Sequence, residues 1–243
     1  MFKFIIILSV ILATVNLFAN GLSAKIKEIK GDVKVRLGLN ETWQKAAIGM
    51  ILKDIDTILS GENSQVVLKT SDQTLFILGA NSILDIADLR KISEKELFLF
   101  LVSDKVDNIE PRNNKTPLRI GNVSLVHGAQ YSKEDTSQTD STELAKWQKR
   151  ELNGVMALYD QKYFHNSIIK LYNIIHKYSN MSYQGLIYLY LGKGFEAVSY
   201  KGKAIEAYKE SILYFEHAVQ DSTHKSYLRD ARMALEKLQE SSR

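Results

Sequence analysis

The chain has 243 residues, 45% hydrophobic and 25% charged, a balance that supplies a packed core and excludes disorder along its whole length. It contains no cysteine, which excludes disulfides, thiol nucleophiles, thiolate metal sites, iron–sulfur ligation and a lipid anchor built on cysteine. The net charge of +4 is mild, and Lys and Arg are scattered among Asp and Glu rather than gathered with aromatics on one stripe, so no nucleic-acid partner is expected.

Lys3 precedes an almost unbroken apolar run from Phe4 to Val15, and small Ala19 follows it. This order predicts a signal peptide over residues 1–20, cleaved near Ala19, with Ala24 as a second position. The run is shorter than the ~20 residues that span a bilayer. Extended through Leu17 and Phe18 it would just suffice, so an uncleaved N-terminal anchor is the alternative. Either way the remaining chain is expected outside the cytoplasm, in a bacterial periplasm or secreted.

From Lys25 the apolar period becomes two. Val33, Val35 and Leu37 alternate with Lys34 and Arg36, the pattern of a half-buried strand. Short apolar runs follow at Ile48–Leu52, Thr57–Leu59, Val66–Leu68, Leu75–Leu78 and Ile83–Ile86, separated by groups rich in Gly, Asn, Ser and Asp. Strands spaced roughly 8–12 residues apart predict a sandwich or barrel. Leu97–Val102 reads as a further apolar run, too short for a helix of its own. Asn108–Pro117, with both prolines, reads as a long loop before strands at Leu118–Ile120 and Val123–Val126.

Gly31-x-Val33, Trp43, Gly49-x-x-Leu52, Asp56-x-Ile58-x-Ser60-Gly61-x-x-Ser64, Val66-x-Leu68, Asp72-x-Thr74 and Asn81-Ser82 together resemble a FecR-type domain. Val126-His127-Gly128-Ala129-Gln130-Tyr131 is similar to that family's closing V-R-G-T-x-F segment. The resemblance implies a β domain over residues 24–132 with Trp43 in its core. Three positions depart from the pattern: Ile55 and Gln73 stand where the family has turn glycines, and His127 replaces an arginine. The first two lose easy access to positive φ, so those turns must differ or bear strain. The family's namesakes are membrane-spanning regulators of a sigma factor. With only three residues ahead of the apolar run, that role is not expected here. The resemblance implies instead an envelope β module joined to repeats or carbohydrate-binding units.

Residues 133–142 are polar throughout and read as a linker, with Asp140 to Glu143 offering N-caps for the next helix. Helical periodicity then runs to the end in amphipathic stretches at about 143–160, 164–178, 182–199, 202–218 and 223–240. Tyr188-x-x-Leu191-Gly192-x-x-Phe195, followed by Ala204, Tyr208 and Ser211, resembles a tetratricopeptide repeat. Gly192 and Ala204 would let two helices approach while Phe195 and Tyr208 fill the gap. A weaker copy (Val155, Leu158, Ser167, Leu171, Ile174) precedes it by 37 residues, from Ser167 to Ala204. So short an array must stack on something to bury its faces, which points to self-association or docking on the β domain. The fold class expected is therefore α+β in two domains: an all-β sandwich or barrel, then a tetratricopeptide-like hairpin array over 143–243.

No catalytic, cofactor or metal site is expected. His127, His165, His176, His217 and His224 never pair at ligand spacing, and neither a nucleophile elbow nor a phosphate loop occurs. Asp54 with Asp56, and Asp85 with Asp88, are near pairs of the kind that hold cations, but acidic residues at strand ends ordinarily face water. Tyr is concentrated in the helical half and is enriched at binding surfaces. Tyr172 and Tyr190, least demanded by the repeat pattern, are the candidate protein-binding residues. The expected function is a non-enzymatic scaffold binding an envelope protein or peptide. The alternative is a glycan-binding β module with the helices as a dimerising spacer. A hydrolase assembled from scattered carboxylates is a third and weaker reading.

Overall fold

The computed structural model describes residues 21–107, 141–178, 181–217 and 222–240. The strands come first: β1 (Ser23–Lys30), β2 (Val33–Arg36), β3 (Gln44–Lys45), β4 (Ile51–Lys53), β5 (Thr57–Ser60), β6 (Gln65–Thr70), β7 (Leu75–Leu78) and β8 (Ile83–Asp85). They form two antiparallel four-stranded sheets ordered β4-β1-β6-β7 and β3-β2-β5-β8. The period-two pattern decides which side faces inward: Ala24, Ile26, Val33, Val35, Val66, Leu68, Phe76 and Leu78 are buried in one core shared by both sheets. A register shift between Ile26 and Glu28 turns Ile29 back toward that core, which accounts for an apolar spacing of three within a strand.

Three expectations change here. Ile48 lies in an exposed turn, so the strand read from 48 starts only at Ile51. Ile86 leaves the strand and opens a 3-10 turn, Ile86–Leu89. Leu97–Val102 is the middle of a 14-residue helix, α1 (Glu94–Asp107). Ser93 starts it: its Oγ accepts from Glu96 N at 3.2 Å, and Glu96 Oε2 accepts from Ser93 N at 2.9 Å. That reciprocal capping box nucleates a helix which six apolar residues alone would not. Ile55 and Gln73, the two positions that differ from the FecR-type pattern, resolve differently. Gln73 takes φ 69, the strained solution, whereas Ile55 is absent from the residues with positive φ, so its turn has changed. The strands read at 118–126, His127, the signal peptide and most of the linker lie outside the described residues.

The remaining helices are α2 (Ser141–Asp160), α3 (Phe164–Lys177), α4 (Gln184–Ala197), α5 (Lys201–His217) and α6 (Ser222–Glu240). Consecutive members pack side by side, and α2 also touches α4, as α4 touches α6. Two helix ends 37 residues apart share one geometry. Lys162 and Ser199 both end a helix in the left-handed region, at φ 67 and 64. Lys162 N donates to Tyr159 O and Tyr163 N to Leu158 O; Ser199 N donates to Glu196 O and Tyr200 N to Phe195 O. These are the two bonds of a Schellman stop, made twice in corresponding places. Between α4 and α5 the Tyr208 ring occupies the position a Cβ on Gly192 would take, 2.5 Å away.

The helices are seated on the sheets. Leu158 of α2 belongs to the β core, and Phe76 of β7 meets Tyr163 edge-on at 5.7 Å. β7 ends its sheet, with backbone groups that need partners. Gln161 supplies them with one side-chain amide: Oε1 accepts from Ile77 N at 2.7 Å, and Nε2 donates to Ile77 O at 2.8 Å. Asn153 Nδ2 donates to Asn81 O at 2.7 Å, and Asn166 Nδ2 donates to Asp88 O and Arg90 O. Gly154 lets α2 come so near β8 that an added Cβ would stand 2.1 Å from Ile83 O. Gly154→Ala is therefore expected to cost about 1–3 kcal/mol in urea unfolding, because a backbone atom must give way. Gly202→Ala, where a Cβ meets nothing within 4 Å, is expected to leave the midpoint unchanged or raise it.

Candidate functional site

An open groove lies among α3, α4 and α5. Tyr172 from α3, Tyr188, Leu191 and Phe195 from α4, and Lys203, Glu206, Ala207 and Glu210 from α5 line a cavity of about 310 Å³. Tyr172 stands edge-on to Phe100 of α1 at 5.9 Å and to Phe195 at 6.3 Å. Burial pushes the Tyr172 hydroxyl up to about 12, and the Asp104 charge adds to the shift. Tyr188 stacks on Tyr214 with ring centroids 5.5 Å apart. Lys203 Nζ lies 5.6 Å from the Phe195 ring.

The residues singled out from the sequence divide into three groups. Tyr172, Tyr188, Leu191 and Phe195 meet in the groove. Gly192, Ala204 and Tyr208 lie behind it in the α4–α5 contact, where Tyr208 donates from its hydroxyl to Glu196 Oε2 at 2.9 Å. Burial first, and that hydrogen bond second, raise the Tyr208 pKa above the usual phenol range. Tyr190 does not join Tyr172. It is buried, edge-on to Tyr159 at 5.6 Å, and its pKa is raised to about 12 by burial. Tyr190 packs against Tyr159 and does not line the groove. Sequence reading misses Phe100 because it misses α1, and the signal for that helix is the Ser93-x-x-Glu96 box. It also misses Lys203, Glu206 and Glu210, which at the spacings three and four share one face of α5.

The acidic pairs have other occupations. Asp56 is buried and accepts from Gly38 N and Lys53 N, each at 2.7 Å, so it clamps two turns. Asp85 and Asp88 converge on the ammonium of Lys170, which reaches them from α3: Nζ lies 3.0 Å from Asp85 Oδ2 and also contacts Asp88 Oδ2. Thr57 Oγ1 donates to Asp85 Oδ1 at 2.8 Å and accepts from Arg36 Nη2 at 3.1 Å. The side chains of Lys170, Asp88 and Asp85 are 10%, 21% and 49% exposed. Desolvation therefore falls hardest on Asp88, whose pKa rises to about 6, while the charge of Lys170 and the Thr57 hydrogen bond hold Asp85 below its usual range against its own desolvation. The Arg36 guanidinium lies 5.5 Å from the Trp43 ring, and Trp43 is half-buried rather than in the core as its resemblance implied. Among the described residues no group of three or more His, Asp or Glu side chains converges as a metal site would require.

Comparison with protein-family models, curated proteins and solved structures gives no match. Among the described residues no helix is long and apolar enough to cross a membrane.

The Asp88 pKa is raised on folding, so its contribution to stability is full below the ordinary carboxylate value near 3.8 and is lost as pH rises through about 6. Asp88→Asn removes that titration. Urea midpoints measured between pH 4 and 8 are expected to fall less steeply with rising pH in the variant than in the parent. Lys170→Met strands the two carboxylates and is expected to cost about 3 kcal/mol at pH 7.5, the lower end for breaking a buried pair because Asp85 keeps part of its hydration.

Proposed function

We propose that this chain is an exported, non-enzymatic scaffold of a bacterial envelope, whose helical array binds a segment of a partner protein while the sheets hold the array in place. The signal-like N-terminus and the FecR-type and tetratricopeptide resemblances support the setting. The observation that carries the reading is the groove itself. It joins half-buried Tyr172 and Tyr188 to Phe195, with Lys203, Glu206 and Glu210 along one side. Tyr and Phe are enriched at protein interfaces, and a polar, solvent-accessible rim is where an interface tolerates charges such as these. Behind it Tyr208 and Lys237 both reach Glu196 and so link α4, α5 and α6: Lys237 Nζ lies 3.0 Å from Glu196 Oε1. A groove on packed helices loses little entropy when it is filled.

The second reading, a glycan-binding β module, is favoured only by Trp43, which is half-buried where core burial was implied. A crosslinking capture from envelope extract separates the two. The parent chain is expected to retain a defined protein, and a Tyr172→Ser/Tyr188→Ser variant about tenfold less of it, the effect of removing two hot-spot aromatics. Equal retention by the variant, or retention of peptidoglycan alone with loss on Trp43→Ala, overturns the scaffold reading.

A further inference from the structure

Strand alternation sets the two faces of the first sheet, ordered β4-β1-β6-β7. Ala24, Leu52, Leu68 and Phe76 face the core, so their neighbours in sequence face out. Strand pairing places Ile51, Lys25, Lys69 and Leu75 in one row across all four strands of that outer face. Glu28, Val67 and Ile77 form the next row, and Lys53 extends the face on β4, where it pairs with Ser23. Ile51, Leu75 and Ile77 are 63%, 58% and 45% exposed, so the face carries large apolar side chains in water. Lys25 and Lys69 stand directly opposite each other on neighbouring strands, a placement of like charges that costs stability. Among the described residues the ion-paired lysines of the β region are Lys34, with Asp32, and Lys91, with Asp72. Lys25, Lys53 and Lys69 are left with Glu28 as the carboxylate within their rows and exposed Asp54 in the turn after β4.

The sequence also fixes where this face stands. The apolar run that begins at Phe4 and extends to Phe18 reads as a signal or an anchor. Four residues separate it from Ser23, where β1 begins, a reach of at most about 18 Å. While that run lies in a bilayer, β1 is held at the bilayer surface. We propose that the outer face of the first sheet docks on an anionic membrane surface, with Lys25, Lys53 and Lys69 among the lipid phosphates and Ile51, Leu75 and Ile77 at the headgroup boundary. Cations interleaved with apolar side chains suit such an interface, which binds through charge and buried apolar area together. Phosphates relieve the repulsion between Lys25 and Lys69, which a neutral or cationic surface does not. Shape selects a membrane over a peptide segment, because one layer of strand side chains meets a plane along its whole extent. The inference goes beyond the scaffold reading and is independent of what fills the groove among α3, α4 and α5: it places the scaffold rather than its partner.

The chain has no cysteine, so Leu75→Cys and, as a distant control, Met233→Cys on α6 each give the full-length protein a single thiol for an environment-sensitive fluorophore. At Leu75 the fluorophore replaces one apolar side chain by another. On vesicles of phosphatidylcholine and phosphatidylglycerol, the Leu75 probe is expected to shift to the blue and to be quenched about twofold by a nitroxide lipid, while the Met233 probe is not. On phosphatidylcholine alone, into which the apolar run can still insert, both probes are expected to stay in water. Salt at about 0.5 M is expected to reverse the shift at Leu75. Lys25→Glu/Lys69→Glu keeps a like-charged pair in the same place and is expected to abolish the quenching on phosphatidylglycerol and to restore it on vesicles carrying a cationic lipid. Because that swap includes a gain of contact, a misfolded variant cannot imitate it. A Leu75 probe equally dry on both vesicle compositions, equal quenching at Met233, or indifference to the charge reversal overturns the proposal. So does protection of the Leu75 probe by polyglutamate but not by vesicles, which would assign the face to an acidic polypeptide instead.

Discussion

The ammonium of Lys170, held between Asp85 and Asp88, is the interaction on which the arrangement of the molecule depends. It arises on α3 and ends on the β8 strand and the 3-10 turn after it, so it joins the two halves of the chain across more than eighty residues of sequence. A single cation facing two carboxylates leaves one negative charge imperfectly matched, and Asp88, the less hydrated of the two, bears it. Such a cluster adds little net stability compared with an apolar contact of the same shape. What it supplies is position, since an ammonium and two carboxylates tolerate few other relative placements.

Around that point the rest of the seam is built from amides and close backbone approach. Gln161 gives Ile77 the donor and acceptor that a neighbouring strand would have given, and so satisfies one residue of the edge strand β7. Asn153 and Asn166 serve carbonyls at Asn81, Asp88 and Arg90 in the same way. Leu158 enters the β core, and Gly154 removes the side chain that would hold α2 away from β8. The sheets thereby cover the first helices of an array too short to bury its own ends.

The groove depends on this seating and on the path of α1. The chain leaves the sheets, caps a helix at Ser93 and lays Leu97 and Leu101 into the helical core. Phe100 then meets Tyr172, and the outer residues of the same helix form one wall of a second cavity, opposite the start of α5. One helix therefore helps to build both cavities, although it lies before the array in the chain and reads in sequence as part of the sheets. The repeated stops at Lys162 and Ser199 keep α2–α3 and α4–α5 in like geometry, so that the aromatic residues of α3 and α4 arrive on one side.

Much of the local structure was legible because it depends on neighbours in sequence. Alternation at Val33 and Val35 or at Val66 and Leu68 sets an inward face wherever the strand finally lies, and amphipathic periods after residue 143 mark five helices. Gly192 with Tyr208 could be paired from the repeat spacing, because both sit on adjacent elements. The ends of strands were less legible, since turn bonds decide them, as at Ile48 and Ile86. What folding alone decided were the meetings of residues far apart: which partner Asp85 and Asp88 would find, that Tyr190 would turn inward while Tyr172 faces the groove, and that Lys105 would stand opposite Lys203. The physical reason is that periodicity records which side of an element is apolar, whereas the identity of what covers that side is set by long-range packing and by charges that acquire their partners only when the chain has closed.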